Sequence, residues 1–381
     1  MWLQLFIFIV ALWGLKAYPE NGNVYQQQKA RKKYIILIML LFIIQSGFRH
    51  LAVGTDTFSF YQDFKEIRQM SFTDLVNSFV NFFRTDEGKD PGYKILQYLF
   101  ATILPSFRLF LLSIAIFIFT ALGKLLYRYT NSNKEVLVAV ALYQCLYYSF
   151  LSITGLRQTI ATGFLLFAVP YILEKKWGKA LLLILIASTQ HKSALLFVPF
   201  LALPYIKNSR NLIICAFIAF FPMWKMGNSI AVFFMSGTRF EQYAMYLEGF
   251  DGAGAYNFTA FIVLLVVGLF LKNRQVTSIN KYSYVFVNAV SVAFALTPLT
   301  LIDPSNMRIV QYYSIFCLIS LPHLLTSIKR NGGSFDLHMI VFFVFSLYTV
   351  FGLKYDYCFF WQDMRLEGNY GLSVPFNEFD I

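Results

Sequence analysis

Twelve apolar runs follow one another along this chain and constrain its fold more than any other feature. A helix needs about 20 mostly apolar residues to cross a bilayer, where it satisfies its own backbone groups. The runs cover residues 2–15, 34–52, 107–127, 135–151, 157–173, 179–191, 193–206, 211–227, 256–271, 282–302, 309–327 and 337–353. Only 14% of the 381 residues are charged and 57% are hydrophobic, which excludes an ordinary water-soluble domain. We therefore predict an all-α, polytopic transmembrane protein of about 12 spans that forms a single integral membrane domain over residues 1–381.

The basic residues are sorted between alternate connections, which gives the chain an orientation. Cytoplasmic loops are rich in Lys and Arg, and the first connection carries Lys16, Lys29, Arg31, Lys32 and Lys33. Every second connection after it is also basic. We therefore predict that the N-terminus and the C-terminus both lie outside. Because this sorting accounts for the net charge of +12, the charge does not indicate a nucleic-acid partner.

Three outward segments stand apart from the spans. Residues 53–105 contain two amphipathic stretches and a short apolar run over 92–104 that Pro105 closes, so we predict an external interfacial or re-entrant segment. Residues 228–255 are predicted to form an external loop, and residues 354–381 an external acidic tail. The amphipathic stretches have helical spacing, with apolar residues at Phe58, Tyr61, Phe64 and Ile67, then at Phe72, Leu75, Phe79, Phe82 and Phe83.

The sequence lacks the motifs of soluble enzymes and of metal sites. It contains no Gly-rich phosphate loop, no dinucleotide-binding fingerprint, no zinc-protease motif and no nucleophile elbow. The four cysteines are scattered, without the close pairs of a metal or redox site. We predict neither a cofactor nor a bound metal. Because ATP is lacking outside the cell, chemistry there would need an activated donor carried by the membrane.

Asp56 is the first candidate for chemistry. It follows a helix that reaches the outer surface and then turns through a glycine into a Thr-Asp pair. Asp56 or Thr55 could simply cap the next helix, which starts near Phe58. Alternatively, the Asp56 carboxylate is catalytic and accepts a proton from a sugar hydroxyl.

Two further candidates lie at outer helix ends. Arg157 and Gln158 start a helix, where a guanidinium can bind phosphate and the positive helix end assists it; the alternative is snorkelling to lipid headgroups. His191 and Lys192 belong to five polar residues that interrupt an apolar stretch. A histidine and a lysine there suit binding of a polyanion or acid–base catalysis, and the alternative is a tight turn between spans.

The remaining candidates are arginines that the sorting of charges does not explain. Arg49, Arg239 and Arg308 also fall on the outer side, and Tyr312 follows Arg308 one turn later. Arg239 could be a solvated loop residue, and Arg308 could form a local ion pair with Asp303. A diphosphate-bearing lipid at the outer leaflet would explain all the outward arginines, because arginine binds phosphate oxygens bidentately.

Four blocks of sequence resemble the EpsG family of bacterial exopolysaccharide proteins, which is grouped with the Wzy-type polysaccharide polymerases. The resemblance covers residues 30–210 well and the rest by hydropathy. Its motifs are moderately specific, since their order and spacing matter more than any one of them. The blocks are Gly47-Phe48-Arg49 with Val53-Gly54-Thr55-Asp56-Thr57, Tyr61 and Phe64; Gly155-Leu156-Arg157-Gln158-Thr159-Ile160-Ala161; Tyr171-Ile172-Leu173-Glu174-Lys175-Lys176; and Ala187 with His191-Lys192-Ser193-Ala194.

The resemblance implies a metal-independent glycosyltransferase of GT-C-like architecture in the bacterial cytoplasmic membrane. Such an enzyme joins undecaprenyl-diphosphate-linked oligosaccharide repeat units of capsule, exopolysaccharide or O-antigen on the outer face. That lipid-linked oligosaccharide would be both donor and acceptor, and a flippase and a chain-length regulator would be pathway partners. The resemblance also implies that Arg157 and His191 contact the diphosphate, and it includes Arg49 and Asp56 in its first block. It gives no support for Arg239 or Arg308.

Two other functions remain open from the sequence. A flippase for lipid-linked oligosaccharides would be expected to show related halves and charges near the bilayer midplane, whereas these charges gather at one face and no repeat is visible. A membrane O-acyltransferase would also use an outward histidine and arginines. The sequence does not identify the sugar, the linkage or the polymer.

Overall fold

The fold is known from a computed structural model that describes residues 2–54, 56–84, 90–235, 253–302, 306–328, 336–353 and 357–362. This part of the chain is helical throughout and contains no strand. It divides into two compact units, the first made of Met1–Leu195 and Met339–Ile381 and the second of Leu196–His338. The predicted all-α membrane fold is therefore confirmed.

The first unit contains the helices that surround the candidate site. They are α1 (Trp2–Ala17), α2 (Val24–Gly47), α3 (Thr57–Gln69), α4 (Phe72–Arg84), α5 (Pro91–Ile103), α6 (Phe107–Tyr129), α7 (Asn133–Leu142), a π-helix (Tyr143–Thr154) that continues α7, α8 (Leu156–Leu173) and α9 (Trp177–Gln190). The short helix predicted over 92–104 is present as α5. Its C-cap residue is Leu104, just before Pro105.

The second unit begins within a 3₁₀-helix and continues through shorter helices. They are the 3₁₀-helix (Lys192–Tyr205), α10 (Ser209–Met235), α11 (Ala253–Leu271), α12 (Asn273–Ile279), α13 (Ser283–Leu296), α14 (Pro298–Ile302), α15 (Met307–Ser314) and α16 (Cys317–Ser327). After it come α17 (Leu337–Leu347) and a π-helix (Tyr348–Gly352). α10 runs past the predicted start of the loop 228–255, and residues 236–252 of that loop lie outside the described residues.

Four helices of the described chain are long and apolar enough to cross a membrane: Phe107–Tyr129, Asn133–Thr154, Leu156–Leu173 and Ser283–Leu301. The number becomes six if two bent pairs each count as one span; α11 with α12 is bent by 89°, and α15 with α16 by 44°. Four more apolar helices are shorter. The chain is thus a membrane protein, whereas the count of about 12 spans stays a prediction.

The two amphipathic stretches within residues 53–105 form helices that differ in how far their apolar faces are buried. Phe58, Tyr61 and Phe64 of α3 are buried, and they pack with Phe107 and Phe110 of α6 in one aromatic cluster. On α4, by contrast, Leu75 is buried but Phe72 and Phe79 are exposed. The helical spacing therefore predicted both helices, and α3 is the one that contributes a full apolar face to the core.

Two buried amides of the first unit pair with each other across helices. The amides of Gln45 on α2 and Gln144 on the π-helix are fully buried and bond each other reciprocally, at 2.7 Å and 3.4 Å between nitrogen and oxygen. Beside them the Ser46 hydroxyl donates to the Ser152 carbonyl at 2.8 Å. Because water does not reach these groups, each depends on its partner.

Replacing one glutamine of this pair should cost more than replacing both. We expect Gln144→Leu to lower the free energy of unfolding in lipid–detergent micelles by about 1–2 kcal/mol, because it leaves the Gln45 amide buried and unbonded. The double variant Q45L/Q144L should recover part of that loss. Strictly additive losses in the double-mutant cycle would show that the two amides do not depend on each other.

Candidate functional site

Three helix ends of the first unit bring charged groups together around Asp90. Its carboxylate Oδ2 lies 3.4 Å from Nη1 of Arg157, at the start of α8, and 3.4 Å from Nδ1 of His191, just after α9. The Lys192 backbone N–H donates to Asp90 Oδ1 at 3.2 Å. These four residues are called the Asp90 cluster below. Sequence reasoning had placed Arg157, His191 and Lys192 in one site, and the structure brings them together.

Close packing between α5 and α9 brings Asp90 to His191. Gly92 of α5 lies so near α9 that a Cβ there would be 2.3 Å from Thr189 Oγ1 and 2.7 Å from Gln190 Nε2. Asp90 itself has a left-handed backbone, with φ of 43°, which aspartate tolerates better than most residues. It is the N-cap of α5, yet its side chain makes no capping hydrogen bond. The carboxylate is directed at other helices instead.

Arg157 is held by ring faces as well as by carboxylates. Its guanidinium lies 5.3 Å from the ring centroid of Tyr93 and 5.6 Å from that of Phe60, and Nη2 lies 3.7 Å from Asp63. Within the described chain, its buried Nε has no hydrogen-bond partner. Aromatic faces hold a guanidinium without using its N–H donors, so Arg157 keeps donors available for another acceptor.

His191 and Lys192 present different groups to the cluster. His191 turns Nδ1 toward Asp90, and its buried Nε2 has no hydrogen-bond partner among the described residues. An imidazole whose Nδ1–H is held by a carboxylate presents Nε2 as an acceptor. Lys192 contributes its backbone N–H, while its ammonium lies 4.3 Å from the ring centroid of Phe82 on α4.

The surroundings keep Asp90 ionised. Burial alone would raise the pKa of its carboxyl, but the hydrogen bond with His191, the charge of Arg157 and the Lys192 N–H outweigh burial and lower the pKa below its usual value. The carboxylate is therefore a fixed negative charge at neutral pH, between the groups that were predicted to bind an anion.

A second group of charges marks the opposite end of α8. Arg128, in the last turn of α6, pairs with Glu174 just beyond α8, and Lys176 pairs with the same carboxylate. Glu174 lies 17 residues after Arg157 along α8, which separates the two by about 26 Å at 1.5 Å per residue. That separation is close to the roughly 30 Å hydrocarbon thickness of a bilayer, as expected if the two groups lie at opposite faces.

Arg49 was predicted to contact substrate, but its guanidinium is enclosed by other groups of the first unit. It is 2% exposed, and its guanidinium donates to the Ser46 carbonyl at 2.6 Å, to the Ile153 carbonyl at 3.3 Å and to Thr57 Oγ1 at 3.4 Å. Since backbone carbonyls at two helix ends take up its donors, Arg49 stabilises the fold in this environment, and its contact with substrate stays a prediction. Arg49 joins α2, α3 and the π-helix.

Asp56 and Gln158 lie at the starts of α3 and α8. Asp56 is the N-cap residue of α3 but makes no side-chain capping bond, and the Thr57 hydroxyl bonds the Val53 carbonyl instead. Capping therefore does not account for the Asp56 carboxylate. Gln158 is 2% exposed, next to Arg157 at the start of α8.

The other predicted substrate contacts belong to the second unit or lie outside the described residues. Arg308 is exposed on α15, and Tyr312 on the same helix is buried. Arg239 lies outside the described residues, and so does Asp303, the alternative ion-pair partner of Arg308. Their assignment to the substrate site stays a prediction.

Sequence reasoning missed Asp90 and Asp63. Asp90 precedes Pro91 at the start of a helix, a pattern that predicts an ordinary cap. The available signal was a carboxylate followed by Pro and Gly at the start of a helix too short to span. That signal does not reveal the partners of Asp90, which lie 67 and 101 residues away in sequence.

Adding one methyl group at Gly92 should push α5 away from α9. We expect Gly92→Ala to lower the free energy of unfolding by about 1–3 kcal/mol, because overpacking forces the helices to shift. Gly178→Ala is the matched control, since a Cβ at Gly178 meets nothing within 4 Å. Thermal unfolding of both variants in the same micelles measures the difference, and equal stability would contradict the close approach.

Replacing the two arginines by lysine should separate their roles. Arg49→Lys should destabilise the fold by about 1.5–3 kcal/mol, because one ammonium group does not reach acceptors on three elements. Arg157→Lys should change the free energy of unfolding by less than about 1 kcal/mol, because the Arg157 side chain is one quarter exposed and its ion pairs are long. Equal destabilisation would contradict the structural assignment of Arg49.

Comparison with known proteins gives the family of the chain. No curated protein and no solved structure matches it at a significant level. The model of the EpsG family matches residues 32–362, which include the whole Asp90 cluster and most of both units. This match confirms the resemblance seen in the sequence motifs and indicates a membrane protein of polysaccharide biosynthesis. Because the match covers well over half of the residues, the chain belongs to the EpsG family.

Proposed function

We propose that this protein is a polysaccharide polymerase that joins undecaprenyl-diphosphate-linked oligosaccharide repeat units on the outer face of the bacterial cytoplasmic membrane. The proposal combines membership of the EpsG family with the Asp90 cluster at one end of α8. It includes the predicted topology of about 12 spans, the GT-C-like architecture and a mechanism that does not use a metal.

The observation that carries the proposal is the environment of Arg157. Its guanidinium lies near the ring faces of Phe60 and Tyr93, and its buried Nε lacks a partner within the described residues. A planar guanidinium with available donors is suited to two phosphate oxygens at once. The Lys192 N–H and the positive end of α8 add to the same attraction.

The reaction requires one bond to form and one to break. The oxygen of an acceptor sugar hydroxyl attacks the anomeric carbon of the donor, and the bond from that carbon to the diphosphate oxygen breaks. The electron pair leaves with the lipid diphosphate, whose developing charge Arg157 and Lys192 would neutralise. The hydroxyl proton would pass to His191 Nε2, which has no bonding partner in the described part of the chain.

The remaining predicted residues have supporting roles in this proposal. Asp56 is a second possible proton acceptor, because its side chain does not cap α3. Gln158 would assist Arg157 from the same helix turn. Arg239, Arg308 and Tyr312 are proposed to contact the acceptor or its diphosphate, an assignment that rests on their predicted outward position alone.

Arg157→Ala and His191→Ala should stop polymer growth without preventing membrane insertion. The removed groups neutralise the leaving diphosphate and accept the proton, so we expect long polymer to fall by at least about 100-fold. Arg128→Ala is the matched control, because it removes an arginine from the opposite end of α8 and should leave polymer length unchanged. Gel profiles of lipid-linked glycans from the producing cells measure all three.

The position of the accumulated substrate distinguishes the other functions. A polymerase defect should leave single repeat units on the outer face, where added glycosidases reach them. Accumulation on the inner face would indicate the flippase, and full-length polymer that lacks acyl groups would indicate the O-acyltransferase. Normal long polymer in both variants would overturn the site assignment.

A further inference from the structure

Asp90 does not do what an aspartate at its position usually does. Aspartate is among the preferred N-cap residues because its carboxylate bonds the free N–H groups of the first turn. Here the side chain makes no such bond with α5. Its two oxygens are instead directed at Arg157, His191 and the N–H of Lys192, all from other elements. The Asp90 carboxylate thus contacts residues distant in sequence and makes no hydrogen bond within its own helix.

These three groups are the kind that bind a phosphate. They are a guanidinium edge, an imidazole nitrogen and a backbone N–H at the start of a helix. Their distances to Asp90 are 3.4, 3.4 and 3.2 Å. Charge-assisted hydrogen bonds from nitrogen to a carboxylate are typically about 2.7–2.9 Å. The carboxylate therefore occupies an anion position without binding there tightly.

Two carboxylates, Asp90 and Asp63, lie beside the guanidinium of Arg157. Their negative charges oppose the attraction between the guanidinium and a diphosphate. Asp63 is 40% exposed and 3.7 Å from Arg157, so water screens it, whereas Asp90 is buried against Nη1. Removal of the Asp90 carboxylate is the change that would give the site a strong positive potential.

We propose that Asp90 is an internal competitor for the diphosphate of the substrate: the diphosphate displaces its carboxylate from Arg157, His191 and Lys192. This inference rests on the proposed function, since it takes the Asp90 cluster as the diphosphate site.

Competition of this kind lowers the affinity for every diphosphate by the same factor. Phosphate and pyrophosphate offer only charge and hydrogen bonds to the site, so little affinity remains for them once Asp90 must be displaced. A lipid-linked diphosphate gains free energy from its apolar chain and its sugars as well. Asp90 thus keeps the cationic groups from small anions and admits the larger substrate.

The test measures binding of two probes to the full-length protein in lipid nanodiscs. The probes are inorganic pyrophosphate and undecaprenyl diphosphate. Asp90→Asn removes the charge but keeps the size of the side chain, and asparagine accepts both the left-handed backbone and the N-cap position. We expect D90N to bind pyrophosphate at least about tenfold more tightly than the wild type, with a gain of the same factor for undecaprenyl diphosphate.

Asp63→Asn is the matched control, because it removes a carboxylate beside the same guanidinium from a more exposed position. We expect its affinity for pyrophosphate to change by less than about threefold, since water already screens the charge. Should D90N fail to fold, Asp90→Gly removes the carboxylate and suits the left-handed backbone. Equal gains in D63N and D90N would show a general charge effect and overturn the proposal.

Arg157→Ala separates a failure of this inference from a failure of the proposed function. If undecaprenyl diphosphate binds the wild type and Arg157→Ala abolishes that binding, the diphosphate site stands. Unchanged or weaker pyrophosphate binding in D90N would then overturn the role of Asp90 alone. If binding of both probes is absent, or does not depend on Arg157, both the inference and the site assignment are overturned.

Discussion

Polar groups inside an apolar protein must find their partners within that protein, and the first unit is organised around this constraint. The paired amides of Gln45 and Gln144 satisfy it between α2 and the π-helix. Arg49 satisfies it between two helix ends and α3. The Gln45–Gln144 pair and the Arg49–Ile153 bond join residues about 100 positions apart, so these polar contacts determine which helices are neighbours as well as how stable they are.

The same constraint distinguishes an arginine that holds the fold from one suited to a ligand. Arg49 is buried, and backbone carbonyls accept its hydrogen bonds. Arg157 is partly exposed, and it is held by ring faces and by long contacts to carboxylates. Both residues occur in sequence blocks that resemble the family, each near a helix end. What separates them is the type of group that faces each guanidinium, and sequence spacing does not contain that information.

Much of the helical architecture could be predicted from the sequence, because apolar runs and helical spacing are local properties. The break between α9 and the following 3₁₀-helix, for example, coincides with the polar stretch around His191. Asp90 could not be identified, because its role depends on the packing of α5 against α9. The sequence placed Arg157 and His191 in one site, and both lie beside Asp90, whereas the motif around Arg49 does not indicate that this residue is buried. The span count does not follow from hydropathy alone, because it depends on how bent helix pairs and short apolar helices cross the membrane.

The turn that contains Arg49 also pairs with the end of the described chain. The His50 N–H donates to the Cys358 carbonyl, the Phe360 N–H donates to the Phe48 carbonyl, and the Tyr357 hydroxyl donates to the Gln45 carbonyl. A ribosome adds about 5–20 residues per second, so the partners of this turn emerge some 15 seconds or more after the turn itself. During that interval the unit that carries the Asp90 cluster is incomplete while all of Leu196–His338 is being synthesised. Folding of this unit therefore includes a late closure step, in which residues 357–360 dock on the end of α2 and the turn after it.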